Sequence, residues 1–271
     1  FNDNSKDIVF DVKNLNVNWK KTNIFNYFNN KKMSNTSVGI VDVSLKIFKG
    51  NRVGIVGESG SGKSTLAKAI INIQKPSNGE IYFNKNNLMN LNKDQTIKMR
   101  QDVQMIFQDP YSSLNPKSTI RKLLIEPLKF HKITNKANYE KKIVELIFKV
   151  GLDNKFLDKY PHQLSGGQCQ RVNIARALSV NPKILIADEP TSSLDVTIQA
   201  QIIELIINLC KKMELTLIFI SHDLRVVKNI CNKIIVMKGG KIIESGSTYE
   251  VFHKTKNTYT KELITSVLSI N

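Results

Sequence analysis

Residues 52–65 read RVGIVGESGSGKST, and this stretch decides the fold. Arg52–Val56 predicts a short strand that runs into Gly57, followed by a glycine- and serine-rich turn. An apolar-periodic helix is then expected to about Ile73, because Pro76 prevents it from continuing. Strand, glycine loop and helix in this order give the pattern GxxxxGK[ST] the context that a phosphate-binding loop needs.

The chemistry of this loop follows from its residue types. Glycines let the backbone curl so that successive N–H groups point at phosphate oxygens, and the following helix adds the positive end of its dipole. We expect Lys63 to bridge the β- and γ-phosphates of a nucleotide and the Ser64 hydroxyl to ligate Mg²⁺. The predicted nucleotide-binding residues of the loop are Gly57, Ser59, Gly60, Ser61, Gly62, Lys63, Ser64 and Thr65.

A second constellation lies at residues 183–189, where the apolar run KILIA ends in two carboxylates. Parallel α/β sheets bind ligands at the carboxyl ends of their strands, so Asp188 is expected to reach the Mg²⁺. Glu189 is then placed to orient or deprotonate the attacking water, and the alternative is a pair of solvated turn acids. Loop and strand together predict an α/β fold of the P-loop NTPase class with a RecA-like parallel sheet core.

Composition limits the other possibilities. The 271 residues include 40 Lys and Arg against 23 Asp and Glu, a net charge of +17, but only six of the basic residues are arginine. The lysines are scattered, which favours a solvated surface over a nucleic-acid site. No apolar run approaches the roughly 18 residues of a membrane span. Three widely spaced cysteines argue against a disulfide framework and fit a reducing cytosol.

Hydrophobic patterning predicts how the chain is organised. Residues 8–17 and 38–47 alternate like half-buried strands and indicate an N-terminal antiparallel β-subdomain. From about Lys98 the strand signals give out and helical patterns replace them until about Asn181. The predicted division of one domain, 1–271, is a nucleotide-binding core of 1–97 and 181–251, an inserted α-helical subdomain of 98–180, and a helical tail of 252–271.

Leu164–Gln168 reads LSGGQ and opens a predicted helix. A serine and glycine amides at a helix N-terminus form a second anion site. The sequence resembles the LSGGQ signature of the ATP-binding-cassette (ABC) family. The resemblance implies that two cassettes pair head to tail and enclose ATP between the phosphate loop of one and the signature of the other. The residues that carry over are Ser165, Gly166, Gly167 and Gln168.

Further positions resemble functional residues of the same family. Gln108 is similar to the Q-loop glutamine, which contacts Mg²⁺ or water and senses the membrane partner. Asp195 resembles the D-loop aspartate, and His222 resembles the switch histidine that touches the γ-phosphate. Trp19 is the candidate for stacking on adenine, with the aromatic residues Phe25, Tyr27 and Phe28 or plain packing as alternatives. The other histidines, His131, His162 and His253, are expected to be surface residues.

Four segments look like those of the oligopeptide/dipeptide importer ATPases: residues 107–116, 160–162, 194–201 and 257–260. The resemblance implies an energy-coupling ATPase on the cytoplasmic face of a bacterial plasma membrane. Its partners would be a second ABC ATPase subunit, two transmembrane permease subunits and, indirectly, an extracytoplasmic peptide-binding protein. A permease helix would dock near residues 108–116, where Tyr111 and Leu114 supply apolar contacts or pack within their own loop.

Two departures and two rival functions accompany this interpretation. Some relatives continue into a cysteine-rich tail, and without those cysteines we expect no iron–sulfur cluster. The missing initial Met fits the second half of a fused double cassette or a truncation.

The first rival function is that of a soluble ABC ATPase acting on ribosomes or DNA. The sequence argues against it, because it shows no heptad arms. The second is a non-catalytic regulatory cassette, although Lys63, Asp188, Glu189 and His222 are all of the competent type.

Overall fold

A computed structural model describes residues 7–20 and 36–268 of the protein, leaving out the side chains of residues 19, 20, 36–38, 267 and 268. The predicted adenine-stacking side chain of Trp19 therefore lies outside the described part, as do its alternatives Phe25, Tyr27 and Phe28.

The first sheet is antiparallel and has the strand order β2-β1-β4-β5. Its members are β1 (Ile8–Lys20), β2 (Thr36–Phe48), β4 (Asn78–Phe83) and β5 (Asn86–Asn87). Val12 of β1 lies opposite both Leu45 and Ile81. The alternation of buried residues shifts register after Val12, because Asn14 adopts a φ of 47° at an irregularity in the strand pairing. The predicted antiparallel pair is thus present.

The second sheet has the strand order β10-β9-β3-β8-β7-β6, and its neighbours run parallel except for β10 against β9. Its strands are β3 (Arg52–Val56), β6 (Val103–Ile106), β7 (Ile184–Asp188), β8 (Thr216–Ser221), β9 (Lys233–Lys238) and β10 (Lys241–Ser247). All six residues of β8 are buried, as expected for a central strand of a parallel sheet covered on both faces.

The helices of the described residues are α1 (Lys63–Ile70), α2 (Lys93–Asp102), α3 (Ile120–Phe130), α4 (Tyr139–Lys149), α5 (Gly166–Leu178), α6 (Val196–Lys212), α7 (Leu224–Ile230), α8 (Thr248–His253) and α9 (Thr258–Leu268). None of them is both long enough and apolar enough to cross a bilayer. The prediction that strands give out after Lys98 is wrong at β6, which has only four residues and follows α2 without a turn.

Two hydrophobic cores cover the parallel sheet, one on each face. Alternate residues of β8 divide between them: Leu217 and Phe219 join the core formed with helices α3 to α7, whereas Ile218 and Ile220 join the core formed with α1 and the antiparallel sheet. Parallel register places the carboxyl ends of β3, β7 and β8 at the same edge of the sheet. The residues that follow these three strands therefore share one surface.

Candidate active site

The loop after β3 requires glycine at two close approaches of the backbone. Gly57 has a φ of 148°, and a Cβ built there would lie 2.1 Å from the carbonyl oxygen of Met237. Gly62 has a φ of 101°, and its Cβ would lie 2.7 Å from the carbonyl oxygen of Gly39. Neither contact can be relieved by moving a side chain, since both obstacles are backbone atoms. The loop geometry thus depends on glycine in the way that its sequence predicts.

Lys63 lies in the first turn of α1 and folds back onto the loop. Its ammonium donates to the carbonyl oxygens of Gly57 at 2.7 Å and Glu58 at 2.8 Å. Burial lowers the pKa of Lys63, and the negative charges of Glu189, Asp188 and Glu58 oppose that shift. The ammonium is therefore held by neutral carbonyl groups at the position where the sequence predicts a phosphate ligand.

Ser64 and Asp188 meet across the edge of the sheet. The Ser64 hydroxyl donates to Asp188 Oδ1 at 2.8 Å. Burial raises the pKa of Asp188, and the bond from Ser64 partly opposes that shift. A hydroxyl and a carboxylate oxygen are the hard ligands that Mg²⁺ prefers, so this pair fits the predicted metal.

Glu189 follows β7 in an unusual backbone conformation. Its φ is 43°, in the left-handed region that non-glycine residues seldom adopt, and its N–H donates to the carbonyl of Ile220 at 3.0 Å. The carboxylate Oε2 lies 3.3 Å from Nδ1 of His222, which follows β8. Backbone strain of this kind concentrates at functional sites. Its effect is to aim the Glu189 carboxylate at the shared surface.

A cleft of about 700 Å³ opens between these elements. It is lined by Gly39, Ser59, Gly60, Gly62, Lys63, Ser64, Thr65, Gln108, Glu189, Ser192 and His222. The cleft brings together half of the predicted site residues, nine of eighteen, from four separate segments, and Asp188 bonds to Ser64 beside it. Sequence analysis missed Gly39 and Ser192. Ser192 could have been predicted from its position four residues after Asp188, close to the end of β7. Nothing in the local sequence around Gly39 indicates that it lines the cleft.

The LSGGQ turn lies outside this cleft. Ser165 caps α5 by accepting a bond from the Gln168 N–H at 3.3 Å, and its side chain is exposed. A Cβ on Gly167 would lie 2.5 Å from Ile198, so this glycine allows α5 to pack against the first turn of α6. Asp195 caps α6 by accepting a bond from the Ile198 N–H at 3.0 Å. Ser165 and Asp195 thus sit on the surface at the starts of two packed helices.

The segment after Gln108 is bonded to α5. Asn173 donates to the carbonyl of Pro110 at 2.9 Å and accepts from the Ser113 hydroxyl at 2.9 Å. Arg176 donates to the carbonyl of Ser113 at 2.6 Å. We refer to Pro110, Ser113, Asn173 and Arg176 as the α5 clamp. The clamp ties the segment that follows β6 to the helix that carries the LSGGQ turn.

Tyr111 and Leu114 behave differently from each other. The Tyr111 hydroxyl donates to the carbonyl of Leu164 at 3.0 Å, immediately before Ser165, while much of its ring remains exposed. Leu114 is only 2% exposed and belongs to the helical core. Of the two alternatives for Leu114, packing within its own chain is the one that the structure supports, because its side chain is buried in the helical core.

Comparison with known proteins agrees with this geometry. Residues 40–192 match the ABC transporter family. The chain is 45% identical over 265 residues to the oligopeptide transport ATP-binding protein OppF of Haemophilus influenzae, covering 97% of this chain and 79% of the relative. It is 45% identical to AppF of Bacillus subtilis, covering 83% of this chain and 69% of that one.

A solved structure shares the fold. The ATP-binding cassette MJ0796, determined as a dimer in a post-hydrolysis state bound to ADP and Pi, superposes with a TM-score of 0.76. It is 31% identical, and the match covers 88% of this chain and 98% of the other.

The fold and the cleft define a P-loop ATPase of the cassette class, which confirms the predicted fold class and ATPase activity. Within that class, the chain belongs to the ABC transporter family, on the branch of the oligopeptide transport ATP-binding proteins.

Proposed function

We propose that the protein is the ATP-hydrolysing, energy-coupling subunit of an oligopeptide importer at the cytoplasmic face of a bacterial membrane. The observation that carries the proposal is the shared cleft in which the glycine loop, Glu189 and His222 face one space. The names of the relatives supply the substrate class, since OppF and AppF are oligopeptide transport ATP-binding proteins.

Within one cassette, the residues divide the work of hydrolysis. Lys63 exchanges its hydrogen bonds to the carbonyls of Gly57 and Glu58 for bonds to the β- and γ-phosphates. The new bonds are stronger, because the partly desolvated ammonium then faces charged oxygens and no longer neutral ones. Ser64 and Asp188 would hold Mg²⁺, which would supply positive charge beside the phosphates. Glu189 orients the attacking water and accepts its proton.

His222 and Gln108 complete the site from opposite sides. His222, with Nδ1 at 3.3 Å from Glu189, orients that carboxylate and reaches the γ-phosphate. Gln108 lines the cleft from the end of β6 and contacts the metal or the water. Trp19 remains the proposed adenine-stacking residue.

We infer that hydrolysis requires two cassettes. Ser165, Gly166, Gly167 and Gln168 lie outside the cleft of their own chain, and Ser165 is exposed at the positive end of a 13-residue helix. An ATP molecule bound in one cleft can reach this surface only on a second cassette, where Asp195 also lies. The dimeric state of MJ0796 supports this arrangement. Loss of the γ-phosphate removes the group that both cassettes bind, and the pair separates.

The permease partner has a better docking surface than the one predicted at residues 108–116. An apolar groove of about 460 Å³ lies between α1, α2, β6 and α3, beside Phe107. Ile73 and Phe130, which line it, are 60% and 62% exposed. His131, expected on the surface, is half-buried in the same groove, and burial lowers its pKa. A short helix of a permease subunit fits such an apolar surface adjoining Gln108.

Hydrolysis is tested with Glu189→Gln. The variant keeps the shape of the side chain but removes the base, so it should bind ATP normally, accumulate as a dimer and lose at least about a hundredfold in turnover. Glu145→Gln on the exposed face of α4 is the matched control and should behave like the wild type. Undiminished hydrolysis by Glu189→Gln would contradict the role of Glu189.

Transport coupling is tested by purification from membranes. The wild type should be recovered with two multi-span permease subunits and a second cassette, and Phe130→Ser should lose the permeases while still binding ATP. Phe148→Ser is the matched control, because Phe148 is 56% exposed on α4, away from the groove. Recovery with ribosomes or DNA instead would favour the rival soluble ATPase. A cassette that binds ATP in the complex without hydrolysing it would favour the regulatory one.

A further inference from the structure

The C-terminal helix α9 contacts the nucleotide loop through the side chain of Tyr259. Tyr259, in the first turn of α9, is 6% exposed, and its hydroxyl accepts a hydrogen bond from the Glu58 N–H at 3.2 Å. Glu58 is the second residue of the loop, 201 positions away in sequence. The segment 40–192 that matches the ABC transporter family does not include this helix.

The Glu58 N–H that donates to Tyr259 belongs to a peptide unit that Lys63 also holds. The N–H of Glu58 and the C=O of Gly57 belong to one peptide plane, and in a trans peptide these groups point in opposite directions. The Gly57 carbonyl accepts from the Lys63 ammonium at 2.7 Å. Tyr259 and Lys63 therefore hold the same plane from its two sides. Gly57, with no Cβ, contributes little of its own to fix the plane's rotation.

The ring of Tyr259 is itself held firmly. The Lys238 ammonium lies 4.1 Å from the ring centroid, a cation–π distance. Just before α9, the Thr255 hydroxyl donates to Glu244 at 2.7 Å, and the Asn257 side chain accepts from the Thr260 N–H at 3.3 Å. These contacts attach the start of the helix to β10, so the Tyr259 hydroxyl has a fixed position relative to the sheet.

We propose that Tyr259 is a positioning residue of the nucleotide site, whose hydroxyl fixes the Gly57–Glu58 peptide plane in the conformation that receives phosphate. The inference rests on the proposed ATPase function and adds a residue outside the matched family segment. When Lys63 turns from the Gly57 carbonyl to the phosphates, the hydrogen bond to Tyr259 still holds this plane, and it is the remaining one among the described residues. The loop therefore stays in place while Lys63 changes partners, which reduces the conformational entropy lost when ATP binds.

Loss of the hydroxyl should act on binding more than on turnover. Once ATP is bound, the phosphates themselves order the loop, so the missing bond is felt mainly before saturation. Tyr259→Phe should raise the KM for ATP roughly two- to tenfold, the ratio that corresponds to one net hydrogen bond, with kcat changed less than about twofold. Hydrogen exchange at the Glu58 amide should accelerate, with the core amides of β3 unchanged.

Tyr249→Phe is the matched control. Tyr249 lies on α8 with its ring 62% exposed, and among the described residues no hydrogen bond from its hydroxyl is found. It should leave KM, kcat and Glu58 exchange at wild-type values. The exchange measurement is made on the nucleotide-free protein and so reports the Tyr259 contact independently of ATP hydrolysis.

The possible results separate the two proposals. An unchanged KM in Tyr259→Phe, or a fall in kcat at constant KM with a lower thermal midpoint, would assign Tyr259 a merely structural role and overturn the inference. Unchanged exchange at Glu58 would overturn it as well. If the wild type does not hydrolyse ATP, the proposed function fails, whereas faster Glu58 exchange in Tyr259→Phe would still show that the hydroxyl fixes the loop.

Discussion

Gly54 lies in the middle of β3, just before the nucleotide loop, and has no room for a side chain. A Cβ built on it would lie 2.2 Å from Cγ1 of Val227 in α7 and 3.2 Å from Sγ of Cys231. Carbon atoms in contact need at least about 3.4 Å, so Gly54→Ala must push α7 away from the sheet.

The size of the effect can be worked from these contacts. Overpacking of this kind costs about 1–3 kcal/mol, partly offset by about 0.8 kcal/mol for the added buried methyl group. We expect Gly54→Ala to lower the free energy of unfolding by about 1–2 kcal/mol. Val227→Ala removes two buried methyl groups and leaves a cavity, which should lower it by about 2 kcal/mol. In the double variant the new methyl occupies space that Val227 vacated, so the loss should be about 1 kcal/mol.

Urea unfolding of the four proteins gives the answer as a double-mutant cycle. A coupling of about 2 kcal/mol in favour of the double variant is expected, well above the scatter of about 0.5 kcal/mol for independent sites. The KM for ATP should rise in Gly54→Ala and return towards the wild-type value in the double variant, because β3 carries the loop. Additive losses would refute the reasoning, since they would mean that the added methyl group does not meet Val227.

Two further predictions concern buried titratable groups. Burial raises the pKa of Asp188, so the folded state binds the proton of this carboxyl more tightly than the unfolded chain does. The free energy of unfolding therefore falls as the pH rises from the ordinary pKa of the carboxyl towards its raised pKa in the folded state. With a chelator present, Asp188→Asn should therefore unfold at a higher temperature than the wild type near pH 7, with a smaller gap near pH 4; an equal gap at both would contradict this. Burial also raises the pKa of Cys169 to about 11, and of Cys210 and Cys231 to about 12. The three thiols should resist alkylation in the native protein and react as it unfolds; rapid reaction of the folded protein would show that they are accessible.

The nucleotide loop was predictable because its information is local. Gly57 and Gly62 occupy positions where only glycine avoids a backbone collision. The glycines of the motif are therefore the residues that the loop conformation requires. Asp188 was predictable for a related reason: an apolar run that stops at a carboxylate marks the end of a buried strand. Local sequence also fixed the cap of α5, since Ser165 and Gln168 form a capping box within four residues.

Other features depend on contacts that local sequence does not contain. The bond between Glu58 and Tyr259 and the approach of Gly39 to Gly62 join distant segments, and neither residue of either pair specifies its partner. Strand β6 is too short to show a period, and it exists because the edge of β7 is available for pairing. The left-handed backbone of Glu189 is imposed by its bond to the Ile220 carbonyl in the neighbouring strand.

The α5 clamp has a mechanical consequence for the whole cassette. Arg176 lines the apolar groove and also bonds to Ser113, and three turns earlier the same helix begins beside Ser165. The groove and Ser165 are therefore joined by one continuous helix, with no loop between them. A displacement imposed at one end of the helix must also move its other end, about 16 Å away along three turns. A movement at the groove therefore reaches Ser165 as a rigid-body movement of α5, with no segment in between that has to unfold.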